Sequence, residues 1–157
     1  MRDYHEFLAE TLISEKQLRR RIGDLGRQIS KDYQDSTNLV LVCILRGGVM
    51  FLTDLIRQIS VPHAIEFMAV ESYGAGNRES SGQIRISHDL NTDIFDRDVI
   101  LVEDIIDSGR TLNSVMELLC ARKPKSIEVC TLLDKFDRRE VEVPVKYVGF
   151  IIPNEFV

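Results

Sequence analysis

The sequence is poor in several residue types and patterns that define whole classes of protein. It has no tryptophan, four prolines and three cysteines in 157 residues. No apolar run approaches the roughly 20 residues that a membrane-spanning helix needs, so we expect no membrane partner. The net charge of -5 argues against the basic surface of a general nucleic-acid binder. The segment that follows Met1 lacks the apolar core of a signal peptide, which indicates a cytoplasmic protein.

The cysteines, histidines and short charged runs are expected to be structural. Cys43, Cys120 and Cys130 are odd in number, widely spaced and set in apolar segments, so we expect reduced core residues. The three histidines are scattered without a metal-ligand spacing. The charged stretches at residues 19–21 and 138–142 are assigned to solvated surface. The sequence also has no Walker A motif, no Gly-x-Gly-x-x-Gly after a strand and no internal repeat.

The pattern of apolar residues predicts a single α/β domain over residues 1–157. Continuous apolar runs rich in β-branched side chains are typical of strands buried on both faces of a parallel sheet. Before residue 38 the spacing is helical, and Ser14 and Gln17 fit a capping box that opens one helix. We expect a mostly parallel sheet flanked by helices. Its strands are predicted at residues 39–45, 64–70, 99–102, 126–133 and 145–152.

The stretch from residue 99 to residue 112 organises the rest of the chain. An apolar run is followed by Glu103 and Asp104, and then by the turn Asp-Ser-Gly-Arg-Thr of residues 107–111, which leads into a helix. Backbone N–H groups at a helix N-terminus lack partners within the helix and bind anions. Glycine lets the backbone approach an anion closely, and the two hydroxyls and the guanidinium add donors. The turn is therefore typical of a site for one phosphate monoester.

The adjacent acids indicate what else the ligand carries. Carboxylates cannot bind phosphate directly, but they suit sugar hydroxyls or a divalent cation that holds a second phosphate group. An ordinary strand end and an acidic helix cap would explain each feature separately. Because the strand, the paired acids, the third acid, Ser-Gly and Thr occur together in this order, we favour a phosphorylated sugar with Mg²⁺.

Three further segments carry weaker signals. Arg46 and two glycines follow the first predicted strand and lead into a helix, which makes a second anion-binding turn. Residues 71–82 are polar and hold three glycines, which is typical of a mobile lid or of a plain hairpin connection. In the hairpin interpretation residues 83–88 form the returning strand. Lys135 follows a strand at its carboxyl end, where open α/β sheets bind ligands.

Residues 102–112, Val-Glu-Asp-Ile-Ile-Asp-Ser-Gly-Arg-Thr-Leu, closely resemble the phosphoribosyl pyrophosphate motif of the purine phosphoribosyltransferases, and of their hypoxanthine(-guanine) branch in particular. The resemblance implies the type I phosphoribosyltransferase fold, with a flexible lid loop at about residues 71–88 and a small hood from the N-terminal and C-terminal segments. It implies transfer of 5-phosphoribosyl from its pyrophosphate to N9 of hypoxanthine or guanine, with Mg²⁺ as cofactor. It also implies a homo-oligomer, either a dimer or a tetramer.

The resemblance assigns roles to individual residues. Asp107 is the catalytic residue, a general base toward the purine N7 proton. The ribose and its 5-phosphate are bound by Glu103, Asp104, Asp107, Ser108, Gly109, Arg110 and Thr111. Glu103 and Asp104 are also the metal candidates, directly or indirectly. Pyrophosphate is assigned to Leu45, Arg46 and Gly47, at a turn where the family often has a cis peptide. The lid contains Ser72 and Tyr73. The purine is assigned to Lys135, Phe156 and Val157.

Other functions remain open at this point. The fold could serve a regulator that binds nucleotide or RNA without catalysis, or a generic nucleotide-binding module, although Asp107 favours an enzyme. Xanthine competes with hypoxanthine and guanine as the purine. In the family the chain continues past the position of Val157, with an acidic residue and an arginine that have no counterpart here. We therefore expect the C-terminus of this sequence to be incomplete.

Overall fold

Strands and helices alternate along the chain in this computed structural model, which describes residues 11–72 and 84–154. The helices in these ranges are α1 (Glu15–Asp32), α2 (Val49–Ile56) and α3 (Arg110–Cys120), and a 3-10 turn spans Phe136–Arg138. The strands are β1 (Leu39–Leu45), β2 (His63–Ser72), β3 (Ile84–His88), β4 (Asp98–Ile106), β5 (Ser126–Asp134) and β6 (Tyr147–Ile151). No described helix is both long enough and apolar enough to cross a membrane.

The strands form one sheet in the order β3-β2-β1-β4-β5-β6. All neighbouring pairs are parallel except β2 and β3, which are antiparallel at one edge. This sheet confirms the predicted mostly parallel α/β fold. From β1 the chain passes through α2 to β2 on one side, whereas from β4 it passes through α3 to β5 on the other. The carboxyl ends of β1 and β4 therefore border the crevice where open α/β sheets bind ligands.

The helices cover the two faces of the sheet and bury its apolar side chains. One core, between the sheet and helices α1 and α2, includes Ile22, Leu25, Ile29, Leu41, Cys43, Phe51 and Leu55. The other, between the sheet and α3, includes Val40, Val42, Val99, Leu101, Leu112, Val115 and Leu119. Strand β1 contributes to both cores, because its successive side chains point to opposite faces. This explains why its sequence is apolar at every position.

Helix α1 begins with the predicted capping box. The Ser14 N–H donates to Gln17 Oε1 at 2.8 Å, and the Gln17 N–H donates to Ser14 Oγ at 3.4 Å. Arg21 differs from the solvated role expected of its charged run. Its guanidinium donates to the carbonyl oxygens of Val148 and Gly149, at 2.5 and 2.9 Å. The carbonyls lie on β6, the edge strand, so Arg21 ties α1 to that edge of the sheet.

Strand β4 is longer than its apolar run. It continues to Ile106 and contains Glu103 and Asp104, which the sequence analysis placed after the strand. The extension is stabilised by pairing with β5, where Ile105 lies opposite Leu133. The paired acids are therefore held by the sheet rather than by a loop.

Both ends of the predicted lid loop, at about residues 71–88, lie in strands. Strand β2 continues through Ser72, and β3 pairs with it antiparallel from Ile84, opposite Ser72, to His88. This pairing confirms the returning strand of the hairpin interpretation. Residues 73–83 lie outside the described residues, and the lid itself stays a prediction.

The burial of the cysteines and the length of the last strand differ in part from the predictions. Cys43 and Cys130 are buried as predicted, but Cys120 is exposed, because it ends α3 on the outer side of that helix. The strand predicted at residues 145–152 is shorter and spans Tyr147–Ile151. The hood stays a prediction, because residues 1–10 and 155–157, which would help to form it, lie outside the described residues.

Candidate active site

The two predicted anion turns meet at the crevice between β1 and β4. A Cβ atom on residue 47 would collide with the carboxylate of Asp104, so that carboxylate lies directly against the Gly47 backbone. The Asp104 Oδ1 atom also accepts the N–H of Ile105 at 3.0 Å. The peptide bond between Leu45 and Arg46 is cis, as the family turn often is. The structure thus brings the Leu45–Gly47 turn and the acids of β4 together.

The phosphate turn is shaped by a glycine in a left-handed conformation. Gly109 is the N-cap of α3 with φ of 79°, and no side chain caps this helix. A Cβ atom at Gly109 would lie 2.9 Å from the carbonyl oxygen of Val141. The carbonyl of Ser108 accepts the N–H groups of Glu140 and Val141, at 2.9 and 3.3 Å. The segment after the 3-10 turn therefore supports the phosphate turn from behind, while Thr111 stands in the first turn of α3.

The guanidinium of Arg110 is paired with an acidic side chain outside the phosphate turn. It forms an ion pair with Glu140, with nitrogen–oxygen distances of 2.5 and 2.6 Å, and both side chains are about half exposed. An ion pair this exposed contributes little to stability, so a phosphate could compete with Glu140 for the guanidinium. The donor role of Arg110 stays a prediction.

The paired acids carry an electrostatic penalty. Burial, and next the negative charge of Asp104, raise the pKa of Glu103 to about 8. Burial together with the same two carboxylates raises the pKa of the Cys43 thiol to about 12. Two like charges in a partly desolvated position disfavour full ionisation. A bound cation, or hydroxyl groups that donate to the carboxylates, would relieve this penalty.

The donor set fits a magnesium ion that also binds substrate phosphates. Mg²⁺ is usually held by one or two carboxylates together with phosphate oxygens and water, rather than by a cage of protein ligands. Glu103 and Asp104 supply two carboxylates, and the raised pKa of Glu103 indicates a position that favours positive charge. Within residues 11–72 and 84–154, no group of three or more His, Cys, Asp or Glu side chains could hold an ion alone.

Asp107, the predicted general base, is held by a residue that the sequence analysis assigned to solvated surface. The Nε atom of Arg138 lies 2.9 Å from Asp107 Oδ1. The Nη1 atom of the same guanidinium lies 3.3 Å from Asn154 Oδ1. Arg138 therefore joins the end of β4, the turn after β5 and the segment after β6.

Lys135, predicted to bind the purine, is buried at the carboxyl end of β5 with only 7% of its surface exposed. In the part of the chain that the structure describes, its ammonium group has no carboxylate partner. The neighbouring Asp134 is paired instead with Arg139, at 2.8 and 3.0 Å, and Arg139 also donates to the Val143 carbonyl at 2.8 Å. An ammonium group on this largely buried side chain can donate hydrogen bonds to a ligand that accepts them.

Some of the remaining predicted site residues lie within the described ranges, and the others lie outside them. Arg46 is exposed, next in the chain to Gly47, and it has no ion-pair partner among the described side chains. The backbone of Ser72 ends β2, and its side chain is not described. Tyr73, Phe156 and Val157 lie outside the described residues, so their roles stay predictions.

The charged stretch at residues 138–142 is the part of the site that sequence reasoning missed. Its first three residues pair with Asp107, Asp134 and Arg110, respectively. The signal that could have found them is their position, a few residues after Lys135 and therefore at the same edge of the sheet. Nothing in the sequence specifies the partners, which lie as far as 31 residues away along the chain.

An anion turn and paired carboxylates at the switch point of a parallel sheet define an α/β protein that binds a phosphosugar or a nucleotide. Comparison with known families makes this more specific. The phosphoribosyl transferase domain family matches residues 10–157. The chain belongs to that family.

Known relatives are similar over most of their length. The hypoxanthine phosphoribosyltransferase of Salmonella typhimurium is 52% identical over 149 residues, which cover 94% of this chain and 83% of that protein. A crystal structure of a hypoxanthine phosphoribosyltransferase from Staphylococcus aureus superimposes with a TM-score of 0.93 at 45% identity, covering 97% of this chain and 82% of that one. A structure of the Trypanosoma cruzi hypoxanthine phosphoribosyl transferase has a TM-score of 0.90 at 38% identity, covering 99% of this chain and 84% of that one. It comes from a study of the role of the C-terminal region on the oligomeric state and enzymatic activity of that protein.

Proposed function

We propose that the protein is a hypoxanthine phosphoribosyltransferase of purine salvage. It transfers 5-phosphoribosyl from phosphoribosyl pyrophosphate to N9 of hypoxanthine, and also of guanine, and it releases pyrophosphate. The observation that carries this proposal is the meeting of the phosphate turn, the paired acids and the buried Lys135 at one edge of the sheet. The names of relatives about half identical to this chain support it.

The substrate is held at its two charged ends. Backbone N–H groups at the start of α3, with the hydroxyls of Ser108 and Thr111, bind the 5-phosphate. The Leu45–Gly47 turn faces the pyrophosphate at the other end of the ribose. Glu103 and Asp104 would hold Mg²⁺, which supplies positive charge to the leaving pyrophosphate. The same carboxylates, between the two ends, bind ribose hydroxyls and stabilise the positive charge that develops on the sugar.

The purine is bound and activated by residues at the ends of β4 and β5. Asp107 accepts the N7 proton, or a hydrogen bond from it, as N9 attacks the sugar. Lys135 donates to the 6-oxo group and cannot accept a hydrogen bond from a 6-amino group. This asymmetry selects hypoxanthine and guanine over adenine. Phe156 and Val157 complete the purine contacts in this proposal, and Ser72 and Tyr73 belong to a lid that excludes water.

The setting of the reaction is part of the same proposal. The chain forms a single phosphoribosyltransferase domain and works as a homo-oligomer in the cytoplasm. The study of a similar protein, the Trypanosoma cruzi hypoxanthine phosphoribosyl transferase, concerns its oligomeric state and supports this part of the proposal. Light scattering of the purified protein measures the oligomeric state, and a monomer at assay concentration would contradict this part.

The role of Asp107 gives a test that separates a catalyst from a nucleotide-binding regulator. In Asp107→Asn we expect kcat to fall by about 10² to 10⁴, the usual contribution of a positioned general base. The Kd for phosphoribosyl pyrophosphate should change little, because the phosphate turn stays intact. Steady-state kinetics and calorimetric titration measure the two quantities. A variant with wild-type kcat would exclude Asp107 as the base, and a wild-type protein without turnover would favour the regulator.

A further inference from the structure

Arg138 is placed to act on the reaction through Asp107. We propose that Arg138 is a positioning residue that holds the Asp107 carboxylate in the orientation needed to accept the purine proton. This inference rests on the proposed function, because it gives a role to the base of that reaction. The observation behind it is the contact of 2.9 Å between Arg138 Nε and Asp107 Oδ1.

The turn that carries Arg138 is anchored. The N–H of Arg138 donates to the carbonyl of Lys135 at 2.8 Å, and the N–H of Lys135 donates to the carbonyl of Ile106 at 3.0 Å. The next residue, Arg139, makes a two-point ion pair with the buried Asp134. The backbone of residue 138 is therefore held against the ends of β4 and β5. A guanidinium that extends from such a turn occupies a limited region of space.

Asp107 itself has little else to hold it. It is exposed and follows the last residue of β4, and the contact with Arg138 is the one ion pair that its carboxylate makes within the described residues. A carboxylate on a loop that lacks such a partner samples several rotamers. General base catalysis requires the carboxylate to lie within hydrogen-bond reach of the proton, so the loss of orientation lowers the rate of the chemical step.

The contact leaves the base free to react. Arg138 approaches Oδ1, so the second oxygen, Oδ2, stays available to accept a proton from the purine. The same guanidinium reaches Asn154 at 3.3 Å, in the segment that precedes the predicted purine contacts. Lys135 lies three residues before Arg138 on the same turn. One turn thus fixes the residue that selects the purine and the orientation of the residue that deprotonates it.

The inference predicts a defect in kcat rather than in binding of phosphoribosyl pyrophosphate. We expect Arg138→Ala to lower kcat about tenfold, less than the loss of the base itself, because Asp107 remains present but is less well oriented. The KM for phosphoribosyl pyrophosphate should stay within about twofold, because Arg138 pairs with Asp107 and not with residues 108–111, which supply the phosphate donors. Arg138→Lys should recover part of kcat, since an ammonium group can also approach Oδ1. Both pair members are about half exposed, so the fold should tolerate these changes.

A matched control and a double mutant isolate the role. Asp137→Ala changes the neighbouring exposed residue of the same turn and should leave kcat unchanged. In the Asp107→Asn background, Arg138→Ala should cause no further loss, because there is no base left to orient. If Arg138→Ala retains wild-type kcat, or if its tenfold loss persists in the Asp107→Asn background, the inference is wrong. If Asp107→Asn itself has wild-type kcat, the proposed function of Asp107 fails instead, so the two failures can be distinguished.

Discussion

Gly109 shows how one residue determines whether the phosphate turn can form. Its φ of 79° lies in the left-handed region, which costs other residues about 1 kcal/mol or more. A methyl group there would also lie 2.9 Å from the Val141 carbonyl oxygen, on the backbone that supports the turn. The position therefore requires glycine for two independent reasons, conformation and space.

We expect Gly109→Ala to weaken binding of phosphoribosyl pyrophosphate at least tenfold and to lower the free energy of unfolding by about 1–3 kcal/mol. Gly23→Ala is the matched control, because residue 23 lies inside α1 and a methyl group there would meet its nearest atom, Nη1 of Arg27, at 3.4 Å. That control should be neutral or stabilising, since alanine favours helix. Titration and denaturant unfolding measure both effects, and unchanged affinity in Gly109→Ala would show that this turn does not bind the phosphate.

At the scale of the element, β4 carries the paired acids into the crevice. The free energy of unfolding should depend on pH through Glu103, whose pKa rises from the ordinary 4.5 to about 8 on folding. Between these values the folded protein binds more protons than the unfolded chain, so stability falls as pH rises through this window. Below pH 4.5 Glu103 causes no further change of stability with pH, because its carboxyl group is protonated in both the folded and the unfolded state.

Glu103→Gln removes this titration. Without Mg²⁺ or substrate, we expect the variant to exceed the wild type in stability at pH 8.5, with a difference that shrinks toward pH 4.5. Only part of the full effect should appear, about 1–2 kcal/mol, because the side chain is partly accessible to solvent. Glu142→Gln, at an exposed position, is the control. Urea unfolding in the presence of a chelator measures the difference, and a gap that widens toward low pH would contradict the assigned pKa.

The strands also show how far sequence reasoning reaches. The bounds of β1 were predicted to the residue, because an uninterrupted apolar run flanked by polar residues leaves little freedom. The end of β4 was misjudged, since acidic residues are rare in strand interiors and only pairing with β5 keeps them there. Residues 83–88 could be interpreted either as part of a lid or as a returning strand, because β3 has no apolar run and forms by pairing with β2.

The same distinction applies to the candidate site. Residues 103–111 were predictable because the motif is contiguous, and a strand that leads into a helix creates its own anion turn. The contacts of Arg138 and of Glu140 could not be predicted, because each joins positions about 30 residues apart that only the sheet brings together. Arg21 is a further case, since helical spacing cannot reveal its carbonyl partners on β6.

At the scale of the whole molecule, the strand order explains why the site lies where it does. The sheet places β1 beside β4, so the Leu45–Gly47 turn and the acids of β4 meet although some 60 residues separate them. Strand β5 then lies next to β4 and brings Lys135 to the same edge. The proposed function thus places pyrophosphate, ribose and purine at successive positions along one edge of the sheet.

Release of pyrophosphate is a direct measure of phosphoribosyl transfer to a purine that carries a 6-oxo group. The protein should be incubated with phosphoribosyl pyrophosphate and Mg²⁺, and with adenine, hypoxanthine, guanine or uracil in separate reactions. We predict rapid release with hypoxanthine and guanine and at most background release with adenine and uracil. Release with adenine at the rate seen with hypoxanthine would exclude selection of a 6-oxo group, and no release with any base would exclude the proposed transferase.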